Sequence, residues 1–220
     1  FNFSFGNRNS HAVIDALGGL LHDLCASVPD GVVVFVPSFA YEAQLAERWR
    51  STGLWDRLAQ RKRVFREPRL AEEVEEMLRD YAAAIDDGAG GGALMLSVVG
   101  GKLSEGINFS DRLGRCVVMV GLPYANPKDI AMQEKMAYLD SAHGKGAGRE
   151  YYTNQCMKAV NQSIGRAIRH KADYATLVLA DQRYASPAVR ERLPAWIARQ
   201  LVAPQTYHAG LGAVMNFFGI

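Results

Sequence analysis

Apolar positions along the chain follow two alternating rhythms. Ser10 precedes HAVIDALGGLLHDLCASV, in which Val13, Ile14, Leu17, Leu20, Leu21 and Leu24 recur at three- and four-residue steps, and the spacing predicts a capped amphipathic helix. GVVVFVPSF follows, a short β-branched run stopped by Pro37, which is the pattern of a strand buried on both faces. AYEAQLAERWRSTG is helical again and stops at Gly53. KRVFRE predicts a strand, and LAEEVEEMLRDYAAAID predicts an amphipathic helix with an acidic outer face. DDGAGGG, residues 86–92, is a flexible loop by composition.

ALMLSVV and RCVVMVGLP predict two more buried strands, separated by GGKLSEGINFSDRLG. PKDIAMQEKMAYLDSA predicts a helix, HGKGAG a loop, and YYTNQCMKAVNQSIGRAIRH one long helix over 151–170. ATLVLADQRY predicts a last strand, and TYHAGLGAVMNFFGI at the end has apolar positions suited to a helix packed on the core. Strands interleaved with helices in this way predict an α/β domain with a mainly parallel sheet. Loops at the carboxyl ends of such strands carry the chemistry, which directs attention to the segments after Val36, Glu67, Val99, Leu122 and Ala180.

Composition narrows the classes. With 49% hydrophobic and 22% charged residues, 220 residues suit one globular domain with a full core. A net charge of +2 is too small to decide nucleic-acid binding, so electrostatics must come from local clusters. Cys25, Cys116 and Cys156 lie far apart with no CxxC or His-rich spacing, so neither a disulfide framework nor a zinc site is legible, and a reducing compartment fits. No apolar run reaches membrane-spanning length. The opening FNFSFGNRNS has no signal-peptide layout and no initiator Met, and looks like the cut edge of a longer protein.

Three stretches carry candidate chemistry. In NQSIGRAIRH, a helix would bring Gln162, Arg166 and Arg169 within about 60° of one another. Gly165 beside them would let another surface approach. Two guanidiniums and an amide are a suitable donor set for phosphate oxygens, and His170 and Lys171 extend the positive end. A solvated basic face near a helix C-terminus would have the same residues.

The second stretch is SVVGGKLSEGINFSD, residues 97–111. Gly100, Gly101 and Gly106 allow backbone amides to face a ligand, and Lys102, Ser104, Glu105 and Asn108 add polar side chains. It is not a Walker A loop, because Leu103 follows Lys102 and Leu96 stands five residues before Gly101. With no such loop and no DEAD/DEAH-type box, the chain cannot build a nucleotide-hydrolysing cradle alone. A glycine-rich crossover without a ligand is the other reading. In the third stretch, VVVFVPSFAYEAQL, Ser38 either closes the first helical turn or presents its hydroxyl to a nucleic-acid phosphate.

These stretches resemble motifs IV, V and VI of superfamily 2 helicases, in that order and at roughly those distances. GGKLSEGINFSD, GLPYANP, NQSIGRAIRHKADYATLVLADQRY and LGGLLHDLCASVPDGVVVFVPSF are similar to the XPD-like iron–sulfur DNA helicases, above all the ChlR-type branch associated with sister-chromatid cohesion. The resemblance covers nearly the whole chain. It implies one three-layer RecA-like domain over 1–220, the second (C-terminal) motor domain, with the Walker A loop, DEAH box and Fe-S cluster in a first domain outside this chain. It further implies a 5′–3′ DNA helicase using ATP with Mg2+ held mainly by that first domain.

By the resemblance, motif VI supplies arginine fingers: Arg169 toward the γ-phosphate, Arg166 beside it and Gln162 helping to position the site. Glu105, Gly106 and Asn108, with Gly165, would border the nucleotide, while Ser38, Lys102 and Ser104 would face the DNA backbone. Asp181 and Arg183 of DQRY match an interdomain or DNA-facing pattern. The implied partners are single-stranded or forked DNA, the N-terminal motor domain, and replication-fork and cohesion proteins; the implied setting is DNA repair in the nucleus.

Departures from the pattern are Asn108, where some relatives have Asp, and Arg112, where a second acidic residue is expected. The three cysteines do not match the four that hold the cluster, so no cluster is expected in this chain. Two other classes stay open. One is a non-catalytic module binding nucleic acid or a replication-fork protein, against which the retained arginines count. The other is a dinucleotide-binding enzyme, which lacks GxGxxG after the first strand.

Overall fold

The computed structural model describes residues 1–88, 91–166, 168 and 170–220, with Glu105 described through its backbone only. Each predicted strand forms: β1 (Gly31–Val36), β2 (Arg63–Arg66), β3 (Ala93–Val98), β4 (Cys116–Val120) and β5 (Thr176–Ala180). They pair in parallel in the order β2-β3-β1-β4-β5, so every carboxyl end lies along one edge of the sheet. The three central strands are buried throughout, which explains why their sequences run apolar without alternation.

Successive residues of a strand face opposite sides. Val32, Val34 and Val36 join Leu94, Leu96 and Val118 in one apolar cluster, under α1 (His11–Ser27), α2 (Phe39–Ser51) and α3 (Leu54–Arg61). Val33 and Phe35 join Met95, Val117 and Met119 in the other, under α4 (Val74–Asp86) and α7 (Ala147–Ile164). The result is the three-layer α/β arrangement expected. A helix–helix pair, α6 (Ile130–His143) against α7, stands outside it, and α6 buries none of its residues.

Local chemistry sets several boundaries. Ser10 caps α1 by accepting from the Val13 N–H at 3.3 Å. Within α1, Gly18 is required by a close approach: a Cβ there would stand 2.0 Å from Leu54 Cδ2 and 2.7 Å from Trp49 Nε1. Trp49 is fully buried and donates to the Ile14 carbonyl at 3.0 Å, locking α2 onto α1. The terminal segment forms α10 (Tyr207–Phe218), and its Leu211, Val214 and Phe218 pack on the first cluster. Ala89 and Gly90 of the glycine loop lie outside the described residues.

The helix predicted over 151–170 is the main correction. It starts earlier, at Ala147, and ends at Ile164. Gly165 is its C-cap, its N–H bonded to Asn161 O at 3.0 Å, and the Arg166 N–H turns to Ser163 O at 3.2 Å. The Arg166 carbonyl then accepts from the Phe109 N–H at 3.0 Å. A tertiary bond to the loop after α5 (Lys102–Gly106) therefore takes the backbone out of the helix. Gln162 and Arg166 do not share a continuous helical stripe, and Arg169 lies outside the described residues.

Candidate functional site

Arg166 meets the loop after β3 at the carboxyl edge of the sheet. Its Nε donates to the Ser104 carbonyl at 3.0 Å and its Nη1 to Asn108 Oδ1 at 3.4 Å, while its own carbonyl takes the Phe109 N–H. A guanidinium with donors spread over a planar fork can satisfy two such acceptors at once. Residue 108 therefore works as a neutral acceptor, a role that its amide fills without the charge of an aspartate.

The other predicted residues divide by exposure and partner. Lys102 is exposed and donates through Nζ to the Arg69 carbonyl at 2.8 Å. Ser104 is 2% exposed, and its hydroxyl donates to Gly101 O at 3.0 Å. Its hydroxyl closes a turn, and its carbonyl serves Arg166. Gly106 is exposed with nothing within 4 Å of where a Cβ would lie. The Glu105 side chain lies outside the described residues.

Gln162 is exposed on the last turn of α7, in a groove of about 510 Å³ lined also by Asn154, Met157, Lys158, Asn161 and Arg192. Ser38 is exposed at the end of β1 and accepts from the Tyr41 N–H at 3.2 Å, the capping role. It lies beside the start of the 97–111 stretch, since Val99 N bonds Val36 O at 2.9 Å.

Arg183, expected to be interdomain or DNA-facing, is engaged within the chain. Its Nε and Nη2 meet Asp181 Oδ1 and Oδ2 at 2.9 and 2.7 Å, and Nη2 also reaches the Phe3 carbonyl at 3.2 Å. The hydrogen bonds with Asp181 push the guanidinium above its ordinary value. Asp181 accepts the Phe3 N–H at 3.0 Å, and Gln182 N bonds Phe1 O at 2.8 Å. The first residues of the chain are thereby strapped across the end of β5.

Sequence reasoning missed three polar features, at Arg66 and Glu67 on this edge and at Arg115 on the opposite, amino-terminal edge of the sheet. Arg66 forms a two-pronged pair with Glu42 on α2, both contacts at 2.6 Å, which raises the Arg66 guanidinium. Arg115 pairs with Asp173 at 3.0 Å, with side chains 8% and 0% exposed, and lies 3.9 Å over the Tyr174 ring. Glu67, at the end of β2, is buried with its carboxylate turned under Gly101. Isolated charged residues in short strands carry no periodic signal, so only the assembled sheet exposes these pairings.

Metal chemistry finds little support in the donor sets. Asp111, His170 and Asp173 place potential ligand atoms within 4.8 Å of one another. However, Asp173 is bonded to Arg115, and His170 Nε2 meets Asp111 at 3.0 Å, so the group works as an ion-pair network. Burial pushes the thiols of Cys25, Cys116 and Cys156 up to about 12, 11 and 12, so all three are buried, protonated thiols. No helix among the described residues is long and apolar enough to cross a membrane.

Comparison with known proteins identifies the family. Residues 21–200 match the helicase C-terminal domain family. The ATP-dependent DNA helicase DDX11 of Danio rerio is 47% identical over 225 residues, covering 98% of this chain and 25% of that protein. The ATP-dependent DNA helicase chl1 of Aspergillus niger is 44% identical over 224 residues, covering 92% of this chain and 25% of that protein. The chain thus spans about a quarter of the length of these curated relatives. A solved structure described as XPD helicase shares the fold with a TM-score of 0.64 at 24% identity, over 87% of this chain and 32% of that one. Xpd4 of S. tokodaii does so with 0.61 at 22%, over 89% and 35%. With the family model spanning most of the sequence, the chain belongs to the helicase C-terminal domain family.

Proposed function

We propose that this chain is the second motor domain of an ATP-dependent DNA helicase moving 5′ to 3′, and that it completes an ATP site held mainly by a first domain outside it. The observation that carries the reading is the bonding of Arg166 to Ser104 and Asn108, which joins the motif V and motif VI segments at the working edge. The sequence supplies cationic donors there and no phosphate cradle.

In this reading ATP and Mg2+ enter with the first domain and supply the energy of a cleft that opens and closes. This chain's part is to present Arg169, with Arg166 beside it and Gln162 nearby, to the charge that develops on the phosphoryl group. Asn108 accepts from Arg166 and Gly165 ends the helix before it, while Glu105, Gly106, Asn108 and Gly165 border the nucleotide. The exposed Ser38 hydroxyl and Lys102 ammonium face single-stranded or forked DNA through its phosphates. Any iron–sulfur cluster resides in the first domain. The whole protein acts in the nucleus with replication-fork and cohesion proteins.

The test is ATPase activity of this chain alone and after reunion with its first domain. The reading expects no activity from the chain alone, and expects Arg169→Ala to abolish the activity of the reunited protein. Intact hydrolysis in Arg169→Ala would overturn it. Salt-sensitive binding to single-stranded DNA with no ATPase in the reunited protein would instead identify a binding module.

A further inference from the structure

Glu67 has no part in the family motifs, yet it is 6% exposed and holds a full set of partners. Its Oε2 accepts from Ser97 Oγ and from the Val98 N–H, both at 2.8 Å. Its Oε1 accepts from the Leu103 N–H at 3.2 Å, inside the first turn of α5. The N-cap of that helix, Gly101, has no side chain to close it, and a Cβ there would stand 2.3 Å from Glu67 Oε1. The carboxylate occupies the space that a side chain at 101 would fill. It joins the end of β2 to the end of β3 and the start of α5.

A neutral side chain could cap a five-residue helix, and a buried carboxylate is an expensive group to use for it unless its hydrogen bonds hold it. Charge-assisted bonds to backbone N–H groups are roughly twice as strong as neutral ones. What they fix here is α5, and the carbonyl of Ser104, the residue after Leu103, is the acceptor for Arg166 Nε.

We propose that Glu67 is a positioning residue for Arg166, acting through α5 and the Ser104 carbonyl. The inference rests on the reading of Arg166 as a group of the ATP site. A misplacement of about 1 Å can lower a rate on the order of 10²-fold, which is the scale on which a loosened α5 would be felt.

The test uses the full-length protein, with Glu67→Gln, Gly101→Ala, Arg166→Ala and each of the first two combined with Arg166→Ala. Gly101→Ala displaces the carboxylate while keeping its charge, and serves if Glu67→Gln folds poorly. Steady-state ATPase gives kcat and KM for ATP, and thermal unfolding gives stability. The expected result is a drop in kcat on the order of 10²-fold for Glu67→Gln or Gly101→Ala, with KM little changed and no further loss when either change is added to Arg166→Ala. Losses that multiply in the double variants would overturn the proposal and leave the function of Arg166 standing. So would an unchanged kcat with a lowered unfolding midpoint, the mark of a purely structural cap. If Arg166→Ala alone leaves kcat intact, the reading of the ATP site falls and this proposal falls with it.

Discussion

Arg166 Nε donates to the Ser104 carbonyl at 3.0 Å, joining residues 62 apart in sequence at the carboxyl edge of the sheet. Asn108 Oδ1 takes a second nitrogen of the same guanidinium at 3.4 Å. A lysine has one terminal nitrogen and cannot reproduce that fork. Both Arg166→Lys and Arg166→Ala are expected to lower ATPase kcat of the full-length protein by roughly 10²- to 10³-fold. Steady-state hydrolysis measures it, and recovery of wild-type rate in the lysine variant would mean that the fork geometry is irrelevant.

Arg183→Ala is expected to destabilise the chain by about 3 kcal/mol, because it leaves the Asp181 carboxylate, whose side chain is 0% exposed, without its cation. Urea unfolding of the 220-residue chain reads this directly. Weaker DNA binding at unchanged stability would place Arg183 on the nucleic acid instead of in the strap.

Gly18→Ala is expected to cost about 1–3 kcal/mol, since its Cβ would overlap Leu54 and crowd Trp49. Gly19→Ala, one residue on and with nothing within 4 Å, should stabilise α1 by about 0.4–1 kcal/mol. Denaturant midpoints of the two variants should therefore move in opposite directions; a common direction would contradict the packing of α1 on α3.

A pH window follows from the attachment of α10. Tyr207 Oη donates to Asp23 Oδ2 at 2.6 Å. This bond, with help from His22, holds the Asp23 carboxyl below its usual value, while burial and the same bond push the Tyr207 hydroxyl up. A depressed carboxyl contributes stability above its unfolded value of about 4, and that contribution is lost as pH falls through the folded value. A raised phenol contributes below about 10 and loses its contribution as pH rises through the folded value. The unfolding midpoint should therefore fall on acidification below about pH 4. Tyr207→Phe should flatten that acid limb, and an identical limb in the variant would remove Asp23 as its source.

Much of the fold was legible because its signals are local. The largely apolar runs at 31–36, 93–98 and 116–120 announced buried strands, and Ser10 announced the start of α1. What escaped depended on distant partners. Gly53, taken as the end of one helix, also opens α3, whose two turns pack on α1. The end of α7 is decided by Phe109, which draws the Arg166 carbonyl away from helical pairing. The candidate site followed the same division. Motif V and motif VI could be named from their residues, while the inward turn of the Ser104 hydroxyl and the pairing of Arg183 with Asp181 required the assembled sheet.

The strap at the start of the chain also bears on how the domain assembles. The Phe3 N–H finds its acceptor, Asp181, 178 residues further on. Synthesis proceeds from the N-terminal side, so Phe3 emerges before β5 and must wait for it and for the turn beyond it. Until then its aromatic side chain, buried in the finished domain, has no place to dock. The strap is therefore a fastener that must wait for β5, and closing it across so long a separation belongs among the late and slow events of folding.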